Sequence, residues 1–229
     1  MFPGAERRVP SRSKDGIFGG FQFQCGNPPF LALNRTDRFQ PQRASPNPNL
    51  VYPLNTSPVP IHWLFGRSSA GKTTLAKILQ SHWRSEGWPT LLLDGDDLRS
   101  GVCAGLGFSS ADRLENHRRI AEIAKLAASQ GLRVIVASMA PEQVQRRTVE
   151  QILGPALRWI YVHAPLSLCI QRDPKGLYRT AQAGQLSHLL NYPFDEPTAD
   201  QVWLWLDSGA LDAASCGAQL VRAISPSSP

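Results

Sequence analysis

Lys72, Thr73, Asp94 and Asp96 are the side chains whose types and spacing can do chemistry in this chain. Lys72 and Thr73 close the stretch Gly66–Arg67–Ser68–Ser69–Ala70–Gly71–Lys72–Thr73, which fits G-x-x-x-x-G-K-[ST], a phosphate-binding loop. Gly66 and Gly71 let the backbone turn so that successive N–H groups point at phosphate oxygens. Lys72 supplies a point charge, and the Thr73 hydroxyl can ligate Mg²⁺. A helix starting here sets its positive end behind the phosphates.

Asp94–Gly95–Asp96–Asp97–Leu98–Arg99 follows an apolar run. Carboxylates in that place can hold Mg²⁺ through water or take a proton from an acceptor hydroxyl. Arg99 can pair with an anion on the acceptor. An acidic turn that only caps a helix is the alternative reading. Arg113 and Asn116 are three apart on an expected helix and share a face, which suits an anionic group together with a base edge. A solvated helix face is the plainer account of that pair. Glu115 to Arg119 and Arg118 to Glu122 are spaced for surface ion pairs. The basic, aromatic stretch Arg172–Arg179, broken at Pro174–Gly176, suits a lid over phosphates or an ordinary surface loop.

The elements that must position these residues alternate. Ile61–Phe65 reads as a buried strand, and Leu75, Ile78, Leu79 and Trp83 then recur at helical spacing up to a stop at Gly87. Further strands are expected at Pro89–Leu93, Leu132–Met139, Leu157–His163 and Val202–Leu206. Ser109, three residues before an acid, opens a helix to about Gln130, and Pro141 opens one to about Leu153 as its first residue. Short helices are expected at Leu166–Gln171 and Gly176–Ala183, and a closing one at Leu211–Ile224. Apolar strands alternating with helices predict an α/β fold of P-loop type: three layers around a central parallel sheet of about five strands. Ligands then bind beyond the carboxyl ends of the strands.

The 229 residues suffice for one such domain, placed at 58–225. Residues 1–57 lack periodicity and are rich in Pro, Asn, Gln, Ser and Arg. A tail without fixed structure, upstream sequence read from a wrong start, or an organelle transit peptide would each account for them. The net charge of +6 is concentrated there: residues 1–55 carry seven basic and three acidic residues. The remainder is nearly neutral, which argues against nucleic acid as a partner. No apolar run reaches the ~20 residues of a membrane span. Cys25, Cys103, Cys169 and Cys216 are scattered and read as free thiols of a reducing compartment. A cytoplasmic location follows, or an organelle if the first segment is a transit peptide.

Four stretches, GRSSAGKTTLA (66–76), LLDGDDLRSG (92–101), LGFSSADRLENHRRIAEIAKLAASQGLRVIVAS (106–138) and RDPKGLYRTAQAG (172–184), together resemble the adenylylsulfate kinases. These enzymes phosphorylate the 3′-hydroxyl of adenosine 5′-phosphosulfate. The resemblance covers residues 61 to about 207 and implies that Gly66 through Thr74 hold ATP and Mg²⁺, with Arg172 facing the ATP. It makes Asp94 the base or the ligand of a Mg²⁺-bound water, with Asp96 beside it. Arg99, Arg113 and Asn116 then hold the acceptor nucleotide and its sulfate end, Phe108 stacks on its base, and Lys175, Gly176 and Leu177 form the lid. ATP, adenosine phosphosulfate and a second copy in a homodimer are the implied partners.

Departures from the family pattern stand out. Asp97 replaces the Asn of D-G-D-N. The family's S-F-I-S-P is here Ala137–Ser138–Met139–Ala140–Pro141, so the serine assigned to a phosphoenzyme falls on Ala140 and direct in-line transfer is expected. F-T-G-I-D-x-P-Y-E is shortened to Leu189–Pro197, with Leu189 where a second adenine-stacking Phe belongs and Tyr192 or Phe194 as replacements. Two other functions compete: phosphorylation of another nucleotide-like acceptor, such as a cytidine diphosphate derivative, and nucleotide binding without turnover.

Overall fold

The structure, a computed structural model, describes residues 59–183 and 193–225. The readings made for residues 1–57, Leu189 and Tyr192 lie outside the described residues.

Five parallel strands form the sheet in the order β2–β3–β1–β4–β5. They are β1 (Ile61–Phe65), β2 (Thr90–Asp94), β3 (Arg133–Ala137), β4 (Leu157–His163) and β5 (Leu204–Asp207). Side-chain alternation along each strand decides the two faces. Leu64, Ile135, Ile160, Val162 and Leu206 pack under α1 (Lys72–Ser85) and the closing helix. Trp63, Phe65, Val134, Val136, Trp159 and Tyr161 pack under the helices on the other face. The helices after α1 are, in chain order, α2 (Gly95–Ser100), α3 (Ser110–Ser129), α4 (Gln143–Leu153), α5 (Leu166–Arg172), α6 (Leu177–Gln182) and the closing α7 (Ala213–Ile224). Of these, α3 contributes Ile120, Ala121 and Ala124 to the second core, and α4 contributes Val149 and Leu153. No helix among the described residues is long and apolar enough to cross a membrane.

The strand at 61–65 and the one at 157–163 match expectation. Other ends move by local chemistry. β2 starts at Thr90 because Pro89 has no N–H to give the ladder, and it runs on to include Asp94. β3 stops at Ala137, where the chain bends toward Ala140, whose φ is +40°. That bend also corrects the proline reading: Pro141 is not the first residue of α4. Glu142 is the cap instead, in a reciprocal box with Gln145, while buried Arg146 donates to the carbonyls of Ala140 and Pro141 at 2.9 and 3.1 Å. Val202 and Trp203 precede β5, and Asp212, accepting from Ser215 N–H at 2.7 Å, delays α7 to Ala213. Ser109 caps α3 as expected, accepting from Asp112 N–H at 3.2 Å. Arg118 does not turn forward to Glu122. It joins Arg119 on Glu115, at 2.6 and 2.9 Å.

Two buried histidines make the fold acid-sensitive. His62 lies edge-on to Trp83 and Trp203, and burial, with Arg158 and Arg133 nearby, lowers its pKa to about 3. Burial lowers His117 to about 4. Unfolded histidine titrates near 6.5, so between pH 6.5 and 4 the unfolded chain binds protons that the folded one refuses. Their contribution is intact above pH 6.5 and falls as pH falls, by about 2 kcal/mol per ring at pH 5. The expected drop in Tm from pH 7 to pH 5 is about 10 °C, and His62→Leu should remove part of it. A Tm independent of pH over that range would contradict this account.

Candidate active site

The phosphate-binding loop joins β1 to α1 at the carboxyl end of the central strand. Gly66 is required for a close approach: a Cβ there would lie 2.3 Å from the carbonyl oxygen of Val162 on β4. Ser69 and Gly71 have φ of +64° and +99°, which curls the backbone into a nest of N–H groups. No side chain caps α1, whereas Ser109 caps α3 and Asp212 caps α7. The first-turn amides of α1 therefore keep their capacity for an anion. Lys72 Nζ donates to the carbonyls of Gly66 and Arg67 at 3.0 and 2.7 Å. Burial pushes its ammonium down to about 8, opposed by Asp96 and Asp94.

Thr73 donates its hydroxyl hydrogen to Asp94 Oδ2 at 2.7 Å, and Asp94 Oδ1 accepts the Asp96 N–H at 3.0 Å. The capping reading of the acidic turn is thus correct for Asp94, and it does not exclude the chemical one. The same carboxylate that starts α2 stands against the loop hydroxyl. Mg²⁺ favours one or two protein oxygens plus waters and phosphates, and this hydroxyl–carboxylate pair fits that donor set. Gly95 sits where a Cβ would press on Ser138 at 3.3 Å, so β2 and β3 end close together.

Both groups open on one cavity of about 630 Å³. Ser68 to Thr74 line it, with Arg172, Lys175 and Leu177. Asp94, Asp96, Arg99, Phe108, Arg113 and Asn116 line it as well. Arg113 and Asn116 are only 6% and 3% exposed, so the solvated-face reading fails. Arg113 Nε donates to the carbonyl of Phe108 at 3.0 Å, and Arg99 donates to that of Gly107 at 3.0 Å. Both guanidinium groups lie over the Phe108 ring, at 4.6 Å for Arg99 and 5.4 Å for Arg113. Two cations and an aromatic ring suit an anionic aromatic ligand. Burial lowers the pKa of both arginines, but from so high a value that they stay charged.

Three expected site residues stand outside the cavity lining: Gly66, Arg67 and Gly176. Arg67 turns away to pair with Glu196 at 3.0 Å and to cover the Phe194 ring at 4.7 Å, while Tyr161 hydrogen-bonds the same Glu196. Gly66 and Gly176 act through backbone shape, Gly176 by starting α6 at φ +65°. Arg172 does line the cavity, with its guanidinium held at 2.6 Å by the carbonyl of Ser208. Lys175 reaches across to Asp96, which raises its pKa. Phe194 does not replace the missing ring. It packs on Tyr161 and under Arg67, outside the lining. Ala140 is fully buried away from the cavity.

Sequence reasoning passed over Ser208 and gave Tyr178 no role beyond its place in the Arg172–Arg179 stretch. Ser208 Oγ bonds the carbonyl of Ala70 in the loop at 2.7 Å, and Tyr178 donates to that of Ser68 at 3.3 Å. The position of Ser208 just past β5 was the one available signal.

Comparison with known proteins agrees with this arrangement. The sequence profile described as adenylylsulphate kinase matches residues 59–204. The chain belongs to the adenylylsulphate kinase family. Its fold matches the Mycobacterium tuberculosis APS kinase CysC, solved with AMPPNP and APS, at 31% identity and a TM-score of 0.69, over 72% of this chain and 97% of that one. A structure named APE1195 matches at 34% identity and a TM-score of 0.63, over 73% and 96%. A hexameric APS kinase from Thiobacillus denitrificans matches at 25% identity and 0.53, over 72% of this chain and 28% of that one. By family and fold the chain is a nucleotide-binding P-loop kinase.

Proposed function

We propose that this kinase transfers the γ-phosphate of ATP to the 3′-hydroxyl of adenosine 5′-phosphosulfate, giving 3′-phosphoadenylyl sulfate for sulfate activation. The observation that carries the reading is that one cavity joins the phosphate loop, through Asp94, to the Arg99–Arg113–Asn116 cluster. The Mycobacterium relative solved with AMPPNP and APS supports it.

ATP lies with its phosphates on the amides of residues 68–74 and on Lys72, and Arg172 faces it from the lid. Thr73 and Asp94 would hold Mg²⁺, which would supply neutralisation of the phosphate charge. Arg99 and Arg113 take the phosphosulfate, and Phe108 takes the base. Asp94 accepts the proton of the attacking hydroxyl, and Lys72 and the loop amides spread the charge of the transferring group. Lys175, with Gly176 and Leu177, closes the lid and sets Asp96. Transfer is direct, since Ala140 offers no hydroxyl. The free, buried Cys103, Cys169 and Cys216 support a reducing, cytoplasmic setting.

One observation favours a second reading. Among the described residues, Phe108 is the only Phe, Tyr or Trp lining the cavity, and the sequence carries Leu189 where the family has its second stacking Phe. A kinase of another nucleotide-like acceptor, such as a cytidine diphosphate derivative, fits that. ADP release by the full chain with Mg²⁺-ATP decides between them. A rate of roughly 1–100 per second that needs adenosine phosphosulfate is expected. Activity only with a cytidine nucleotide would select the second reading, and ATP binding without turnover would defeat both.

A further inference from the structure

The acceptor end of the cavity contains a polar pair that phosphate chemistry does not use. His117 lines the cavity beside Asn116 and is 4% exposed. Its Nδ1 lies 2.7 Å from the carbonyl of Arg113, one turn back on α3. A carbonyl only accepts, so the proton is on Nδ1 and Nε2 carries a lone pair. Burial keeps the ring neutral, helped by the charges of Arg99 and Arg113 and opposed by the bond to the Arg113 carbonyl. The ring stacks on Trp63 at 6.1 Å and 20°, which fixes its orientation, and Nε2 is the nitrogen remote from its own helix.

That nitrogen is buried without a hydrogen-bond partner, and so is Asn116 Oδ1. Buried polar atoms left unpaired are costly and uncommon. Both are acceptors. A sulfate or phosphate group brings only acceptors and cannot satisfy them; Arg99 and Arg113 serve that end. What satisfies the pair has to bring hydrogen.

We propose that His117 Nε2, together with Asn116 Oδ1, reads an uncharged O–H or N–H donor of the acceptor nucleotide and so determines its specificity. The proposal rests on the reading of the chain as a kinase of an anionic nucleotide. In adenosine phosphosulfate the shared donor chemistry has two sources, the ribose 2′-hydroxyl and the exocyclic amine of the base. The reacting 3′-hydroxyl gives its hydrogen to Asp94.

The test uses the full chain, wild type and the variants His117→Leu and His117→Gln, with three acceptors: adenosine phosphosulfate, its 2′-deoxy analogue and its inosine analogue. Leucine removes the acceptor atom, while glutamine offers Oε1 at a similar reach. Expected is a rise of about tenfold or more in acceptor KM for His117→Leu, with kcat and ATP KM nearly unchanged, and recovery in His117→Gln. The wild type should discriminate against the analogue that lacks the donor, and His117→Leu should not. Which analogue suffers names the source. An unchanged acceptor KM in His117→Leu, or discrimination retained in it, overturns the proposal. If the leucine variant folds poorly, the wild type still decides: equal use of all three acceptors overturns it. Turnover without discrimination sinks this inference alone, whereas no turnover with any of the three sinks the functional reading as well.

Discussion

Lys72→Ala lowers kcat by about 10²–10³-fold, with little change in Tm. In the free protein the ammonium is satisfied by the carbonyls of Gly66 and Arg67. Removing it leaves two loop carbonyls next to a solvent-filled cavity, a small loss offset by relief of a half-buried charge. In the reacting complex the same charge has no substitute. Lys175 is held by Asp96, Arg172 by Ser208, and Arg67 by Glu196. A kcat loss below tenfold would mean that one of these turns inward and replaces it. The pH dependence carries a second signature. Burial sets Lys72 near 8 in the free protein, and phosphate raises it. ATP binding near pH 8–9 then takes up protons, and affinity weakens as pH rises above about 8. Calorimetry in buffers of different ionisation enthalpy reads the uptake directly, and zero uptake at pH 8.5 would contradict it.

Asp94→Asn lowers kcat by about 10²–10⁴-fold while the fold is kept. Asparagine is the informative replacement because it separates the two jobs of this side chain. Asn is as good a helix cap as Asp, so the bond from Asp96 N–H survives. Its single oxygen serves that bond, so Nδ2 faces Thr73, whose hydroxyl turns to accept instead of donating. What it loses is negative charge and the ability to take a proton. Alanine would also cost about 1 kcal/mol of capping and confuse the result. Single-turnover rates with saturating ATP and acceptor, beside thermal melts, give the measurement. A variant within threefold of wild type would remove Asp94 from the chemistry and leave Asp96 as the remaining acidic group beside it in the cavity.

Much of this is legible in the amino-acid sequence. The loop at 66–73 announces itself because phosphate binding needs glycine, lysine and a hydroxyl within one turn of backbone, a purely local demand. The parallel sheet follows from strands apolar on both faces, such as Ile61–Phe65, which is buried throughout. Helix caps at Ser109 and the stop after Trp83 are local signals too. The starts of α4 and β5 were less legible because Ala140 and Trp203 are held by partners distant in sequence, Trp203 N–H by the Trp159 carbonyl at 2.9 Å. Arg146, for example, ties the Ala140 bend to the carbonyl of Asp195 at 2.9 Å.

Sequence alone determined the loop, the acidic turn, the fold class and the resemblance to one kinase family. It assigned types of residue to types of chemistry. Only the tertiary structure decided that Arg113 and Asn116 are buried on the cavity wall, that Arg67 and Phe194 turn to Glu196 and Tyr161, and that Ser208 and Tyr178 brace the loop. It alone showed His117 with one nitrogen bonded and the other unpaired. The reason is physical. Local motifs depend on neighbours three or four residues away, which the sequence prints side by side. Burial and hydrogen-bond satisfaction depend on elements that pack together from distant parts of the chain.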